Sequence, residues 1–287
     1  MNKLTCQSII SRTSIGVVVV IMLMYSMSLC SCSAKKTQSN ESALVYSKPK
    51  VFAVQVNVTD IEQAIDFYGK NLGFEIVTKH DYPQSAQMKN EGVILQLYKV
   101  ERRTQINPTD ARTNINFRVE NLDAIIESLK NEGTEIIHKT PQRAAVGVWK
   151  SIRDPFGNII NLMELNGKAN RLTRPKVYNV TIKVTDIDQA VDFYCNTLGF
   201  DILSVKYYPP VIPLKTDGII SNIALHETAK KTVKLDYPNS TQTFLIIEIA
   251  DPASAMADLK KKAWNLSTQR PGKLQSEFMS RLKILSV

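Results

Sequence analysis

Cysteine and histidine are scarce in this chain, with 4 and 3 copies in 287 residues. Three of the cysteines, Cys6, Cys30 and Cys32, fall at the amino-terminal end, which leaves Cys195 as the one thiol of the remaining chain. A body stapled by internal disulfides is therefore excluded, and Cys195 reads as a small buried thiol rather than a nucleophile. His80 and His138 stand at or beyond strand ends. His226 shares a strand face with Ala224 and could converge with Glu248, a pair too small to hold a metal ion. A concentrated basic surface is lacking too. Of the formal charge of +9, Lys3 and Arg12 supply +2, and Arg270, Lys273, Arg281 and Lys283 against Glu277 supply +3. The rest is spread thinly, so no nucleic-acid partner is expected.

Lys3 and Arg12 precede an uncharged run from Thr13 to Ala34, whose apolar core is Ile15 to Met24. A basic start, an apolar middle and small residues beyond describe an export signal. Leu29-Cys30-Ser31-Cys32 resembles the bacterial lipobox, which implies cleavage after residue 31 and a lipid on Cys32. An uncleaved membrane anchor is the alternative, since the run approaches the ~20 residues that span a bilayer. Residues 1–31 are then the signal peptide, and the polar, unpatterned residues 32–49 a flexible tether. The expected location is the bacterial cell envelope, with the chain anchored to a membrane by lipid.

The stretch Val58 to Ile76 returns as Val184 to Ile202 with 13 of 19 positions identical, a tandem duplication. In each copy a strand with alternating apolar residues leads into Thr59-x-x-Glu62, the pattern of a capping box. Ile61, Ala64, Ile65, Tyr68 and Leu72 follow helical spacing, and Gly73 stands where a left-handed stop belongs. A second helix is expected after Asn121, with Leu122, Ile125, Ile126 and Leu129 on one face. A turn at Asp154-Pro-Phe-Gly-Asn158 precedes a last strand, Ile159 to Leu165. Residues 50–167 thus hold two βαβββ modules, residues 168–176 link, and residues 177–287 begin the pattern again.

These motifs, Val-x-Asp, Phe-Tyr-x-x-x-Leu-Gly-Phe and Arg-Asp-Pro-Phe-Gly-Asn, resemble those of the vicinal oxygen chelate superfamily, which includes glyoxalases, bleomycin-resistance proteins and extradiol dioxygenases. The resemblance implies an α+β fold of tandem glyoxalase-like domains built of paired βαβββ modules. It also implies a cleft whose four inward positions can bind a divalent metal. In the first domain those positions hold Ala53, Gln96, Asn114 and Asn161, and in the second Asn179, Ala224 and Phe244, with no fourth. Alanine has no donor atom and amides are weak, neutral ligands, so neither metal nor another cofactor is expected.

Strand alternation places Phe52, Val54, Val56 and Val58 against the helix and turns Ala53, Gln55 and Asn57 the other way. By the same rule Gln96 and Tyr98, then Asn114, Asn116 and Arg118, and Asn161 join them in a first-domain cleft. These amides with one guanidinium suit a small organic ligand, neutral or anionic, and equally suit a face whose amides satisfy one another. The leading expectation is a metal-free ligand binder. The alternatives are a metal-dependent lyase, isomerase or dioxygenase with shifted ligands, and a structural or partner-binding module.

After Lys262 the second copy departs from the first. Read two bases out of phase, residues 263–287 can restore the missing segments, so the second domain is expected to be incomplete, with a frameshifted tail and an open sheet edge.

Overall fold

The computed structural model describes residues 49–104, 107–110, 112–167, 172–220, 222–228 and 239–248, together with residue 257 and the strand at 282–285. The export signal, most of the tether, Cys32 and most of the tail lie outside the described residues.

Module one is β1 (Lys50–Val58), α1 (Ile61–Leu72), β2 (Glu75–Thr78), β3 (Ser85–Asn90) and β4 (Val93–Lys99). Module two is β5 (Thr113–Arg118), α2 (Leu122–Asn131), β6 (Glu135–Ile136), β7 (Gln142–Ala144), β8 (Gly147–Arg153) and β9 (Ile159–Leu165). Module three repeats module one as β10 (Lys176–Val184), α3 (Ile187–Val191), β11 (Asp201–Ile202), β12 (Val211–Lys215) and β13 (Asn222–Glu227). Its helix widens into a π-helical turn over Asp192–Thr197, around Cys195, where the first copy has Gly69. The described part of module four is β14 (Thr243–Glu248) and β15 (Leu282–Leu285).

The helices start and stop where local chemistry dictates. Asp60, one residue past the expected Thr59, caps α1 by accepting from the Gln63 amide at 2.9 Å. Glu62 is thereby released to bind Lys79 at 2.9 Å. Asn121 caps α2 as expected, accepting from the Ala124 amide at 2.9 Å. Gly73 ends α1 with φ of 70°, a left-handed conformation in which glycine pays no Cβ penalty.

Strand pairing departs from the expected single cleft. The six-stranded sheet runs β15–β14–β1–β4–β3–β2, and the nine-stranded sheet runs β11–β12–β13–β10–β5–β9–β8–β6, with β7 beside β8. Module one therefore joins module four, and module two joins module three. The first strand of each module is satisfied on one side within it, β1 by β4, β5 by β9 and β10 by β13. The free edges then meet antiparallel across repeats, β1 with β14 and β5 with β10.

Both joins carry a bulge at the same place in the repeat, at Phe52 between Val51 and Ala53, and at Tyr178 between Val177 and Asn179. The extra residue shifts the alternation. Phe52, expected in the core, is 38% exposed and Val51 takes its place. The outer edge of β14, expected to be open, pairs in parallel with β15, as β5 pairs with β9.

Candidate functional site

On the face of each sheet turned away from the helices, the eight sequence-nominated side chains separate into two groups. Gln55, Asn57, Gln96 and Tyr98 belong to the six-stranded sheet, where Gln55 stands in register with Gln96 and Asn57 with Tyr98. Asn114, Asn116, Arg118 and Asn161 belong to the nine-stranded sheet. The shared first-domain cleft is thus corrected to two faces, because the partner of each module comes from the other repeat. The proposed meeting of His226 and Glu248 fails for the same reason: His226 lies on β13, and Glu248 on β14 opposite Lys50.

The six-stranded face is largely self-satisfied. Gln55 Nε2 donates to Asn57 Oδ1 at 2.7 Å, and Asn57 Nδ2 donates to the Ser240 carbonyl at 3.2 Å. Phe244, buried opposite Gln55, fills the neighbouring floor, and Ala53 packs beside Ile246. Gln96 and Tyr98 are half-buried.

The nine-stranded face carries a continuous row of polar side chains across five strands. Ser151 Oγ donates to Asn161 Oδ1 at 2.6 Å, and Asn161 Nδ2 donates to Asn116 Oδ1 at 2.6 Å. Asn116 Nδ2 donates to Asn179 Oδ1 at 2.5 Å and to Thr181 Oγ1 at 2.7 Å. Asn179 Nδ2 then donates to Asn222 Oδ1 at 3.1 Å. Every link runs in the same sense, so each amide polarises the next.

Beside this row lie donors that the protein leaves open. Asn114 is 1% exposed; its Oδ1 accepts from Arg112 Nε at 2.7 Å while its Nδ2 is buried without a partner. Arg118 Nε, at the other end of β5, is likewise buried without one. An unpaired buried donor costs about 1–3 kcal/mol. Both lie on β5, and Asp110 Oδ1, two residues before Arg112, is a buried acceptor likewise without a partner.

The surroundings are cationic. Lys183 opposes Arg112 across the β5–β10 seam, its amide donating to the Arg112 carbonyl at 2.7 Å, and His226 stands beside Lys183 in register. Burial, then Arg112, pushes the Lys183 ammonium down to about 8. Burial pushes Arg112 down to about 10, with Asp110 opposing and Arg153 reinforcing that shift. His226 is lowered by burial and then by Lys183. His138 is lowered by burial, then by Lys183 and Arg112. Its Nδ1 accepts from the Ser151 amide at 3.1 Å and its ring meets Trp149 edge-on at 4.9 Å.

Re-pairing the modules regroups the four positions that the resemblance marks for a metal. On the nine-stranded sheet they become Asn114, Asn161, Asn179 and Ala224. The three amide oxygens already accept from Arg112, Ser151 and Asn116. A guanidinium against one of these oxygens repels a divalent ion, and the set has neither imidazole nor carboxylate. These residues do not fit a divalent metal. Among the described residues no group of three or more His, Cys, Asp or Glu side chains could hold one.

Two sheets assembled from paired βαβββ modules, each with an inner face opposite its helices, define the class of protein. The family model for the Glyoxalase/Bleomycin resistance protein/Dioxygenase superfamily matches residues 50–162 and 176–270, and the chain belongs to that superfamily. Glyoxalase I from Zea mays is similar in structure, with a TM-score of 0.56 at 16% identity over 78% of this chain and 80% of that one. A putative dioxygenase from Bacillus subtilis gives 0.54 at 15% identity, over 76% of each chain. At these identities the likeness is one of fold. No curated protein sequence matches the chain.

Arg112, Lys183, Thr181 and Ser151 were not nominated from the sequence. The signal for Lys183 was present: it alternates with Asn179 and Thr181 on β10 and stands 126 residues after Asn57. Arg112 continues the alternation of Asn114, Asn116 and Arg118 just ahead of β5.

Proposed function

We propose that the protein is an exported, lipid-anchored member of its superfamily that binds a small organic ligand, neutral or anionic, without a metal. The inner face of the nine-stranded sheet is the binding surface, where Asn114 and Arg118 flank the amide row. The observation that carries this reading is the pair of unpartnered donors, Asn114 Nδ2 and Arg118 Nε. They are fixed on one strand, above a floor whose other amides are already satisfied. A ligand oxygen would complete them, and the half-buried rim of Arg118, Met163, Tyr178 and Lys183 leaves it a way in. The amide row keeps the floor rigid, which limits the ordering cost of binding. The four residues on the six-stranded face serve packing. The leader and Cys32 support the anchor, and the modest spread charge of the body supports no nucleic-acid role.

The test is to purify the full chain in detergent and release its contents by denaturation. Mass spectrometry should find a small organic molecule, and elemental analysis should find divalent metal well below one equivalent. A stoichiometric metal whose removal lowers Tm would overturn the reading in favour of a metalloenzyme. Cys32→Ser should abolish labelling by fatty acid and release the protein from the membrane fraction; retention of label would remove the anchor from the proposal.

A further inference from the structure

The loop that follows β11 turns apolar side chains to solvent. Leu203 is 53% exposed, and Val205 and Tyr207 are each 36% exposed. Main-chain bonds hold the loop in shape: the Leu203 amide donates to the Pro213 carbonyl at 2.8 Å, the Tyr208 amide to Val205 at 3.2 Å and the Val211 amide to Tyr207 at 3.0 Å. The cation among these residues, Lys206, lies 5.2 Å from the centroid of the Tyr207 ring. The nearby acids face elsewhere. Asp188 accepts from the Tyr208 hydroxyl, with Asp186 and Glu227 close to the same group, while Asp201 and Asp217 stand beside Lys215.

The first repeat builds the same loop with a different surface. At an offset of 126 residues, Lys79 and Asp81 stand where the second repeat has Val205 and Tyr207. The turn itself is shared, since the Tyr82 amide donates to the Lys79 carbonyl at 3.0 Å as Tyr208 does to Val205. The fold therefore accommodates charged residues at both places, and the apolar pair serves something outside it. In the first loop Ile76, Val77 and Tyr82 are exposed as well, but Lys79 binds Glu62 at 2.9 Å and lies over the Tyr82 ring.

Beside the second loop the tether enters the body. Pro49 is buried, with its Cδ 3.7 Å from where a Cβ on Gly199 would stand, and it shares a depression with Phe200, Asp201 and Lys215. The Ile219 amide donates to the Val51 carbonyl at 3.0 Å, which fixes the start of β1 against module three. Residues 33–48 alone separate Pro49 from Cys32, a reach of at most about 60 Å. A lipid on Cys32 thus keeps a bilayer within reach of the loop whose first exposed apolar residue, Leu203, is two positions past Asp201.

We infer that residues 203–207 are a second membrane contact, in which Leu203, Val205 and Tyr207 enter the boundary between headgroups and acyl chains of the bilayer that holds the Cys32 lipid. This rests on the reading of the chain as lipid-anchored and adds an orientation to it. Apolar side chains and tyrosine are favoured at that boundary, and the Lys206 ammonium can remain at headgroup level above its apolar stem. Because the tether is short, contact by the loop is an intramolecular step once the lipid is inserted.

The test labels the full chain with a fluorophore through Lys206→Cys, which leaves the three apolar side chains in place, and through His80→Cys at the equivalent position of the first repeat. Cys195 is buried, and the unsubstituted chain gives the background. In vesicles of phosphatidylcholine and phosphatidylglycerol, a nitroxide carried high on the acyl chains should quench the label at 206 at least threefold more than the label at 80. Val205→Lys with Tyr207→Asp gives the loop the charged pair of the first repeat. It should leave Tm unchanged and bring quenching at 206 down to that at 80. Equal quenching at the two positions, or quenching that survives the paired substitution, overturns the contact. A dimer in light scattering that the same pair dissociates, without quenching at 206, assigns the surface to a second copy and overturns it too. Fatty-acid labelling of Cys32 keeps the two readings apart: label without quenching leaves the anchor and removes the contact, whereas no label and no vesicle-bound protein remove both.

Discussion

Asn116 Nδ2 meets Asn179 Oδ1 at 2.5 Å across the β5–β10 seam, so the two repeats are joined by side-chain amides as well as by main-chain pairing. Asn116 also donates to Thr181 at 2.7 Å and accepts from Asn161 at 2.6 Å, and it is 3% exposed. Asn116→Ala therefore strands a donor on Asn161 and an acceptor on Asn179. We expect a loss of about 2–4 kcal/mol in urea unfolding, since a buried polar group left unpaired costs more than an exchanged hydrogen bond returns. Asn222→Ala, at the half-buried end of the row, should cost less than about 1 kcal/mol. Equal losses at the two positions would mean that the row is not a coupled unit.

A second network locks module one to module two. Tyr68 on α1 donates to Asp154 Oδ2 at 2.9 Å, and Asp154 Oδ1 accepts from the amides of Phe156 and Asn158 at 3.0 and 2.7 Å. Asn158 in turn donates to the Asn57 carbonyl at 3.2 Å. Tyr68→Phe should cost about 2 kcal/mol, and Asp154→Ala more, because it leaves several buried donors without an acceptor. Burial raises the Asp154 carboxyl above its ordinary range, against the hydrogen bonds from Asn158, Tyr68 and the Phe156 amide. A raised folded pKa contributes stability that is full below the ordinary value and lost as pH rises through the folded one. Asp154→Asn removes that loss while keeping an acceptor. Its stability relative to the parent should therefore rise as pH climbs above the ordinary carboxyl value of about 4, measured by urea midpoints. A pH-independent difference would show that the carboxylate is not charged at a cost.

The crossed pairing makes the first repeat incomplete by itself. Residues 50–167 without the second repeat would expose the open edges of β1 and β5, which the whole chain covers with β14 and β10. Unpaired edges recruit strands from other molecules. We expect that fragment to elute as a dimer or larger species in light scattering, through β1 and β5 pairing between copies. A stable monomer would mean that β1 and β5 can pair within one repeat.

Much of this was legible in residue order. The duplication, both first-repeat helices and the Gly73 and Asn121 boundaries follow from local signals, apolar spacing, caps and turn residues, and the superfamily fold from the motifs that resemble those of its members. What was not legible is which open edge meets which. β1, β5 and β10 have apolar alternation, β14 has a run of apolar residues from Phe244 to Ile247, and antiparallel joining suits any of them. The choice depends on how whole modules fit, which no window of sequence contains. The amide-rich composition of the inner faces was visible through Gln55, Asn57, Asn114, Asn116 and Asn161. Their division between two sheets was not, and with it Lys183 was missed, because its importance comes from Arg112 in the other repeat. The bulge at Phe52 was hidden for a related reason: it adjusts one strand to a partner almost two hundred residues away.

The last expectation concerns pH and separates Lys183 from the other cations. Burial and Arg112 lower its ammonium from the ordinary 10.5 to about 8, whereas Arg112 stays charged to about 10. Because the folded state releases this proton more readily than the unfolded one, free-protein stability should rise as pH climbs from about 8 toward 10.5. Thermal unfolding from pH 7 to 9.5 measures this trend. Lys183→Met should flatten it. Burial and then Lys183 lower His226 below its ordinary value, so its change of charge lies below this range and His226→Gln should leave the slope in place. A slope that survives Lys183→Met, or vanishes with His226→Gln, would assign the titration to a different group.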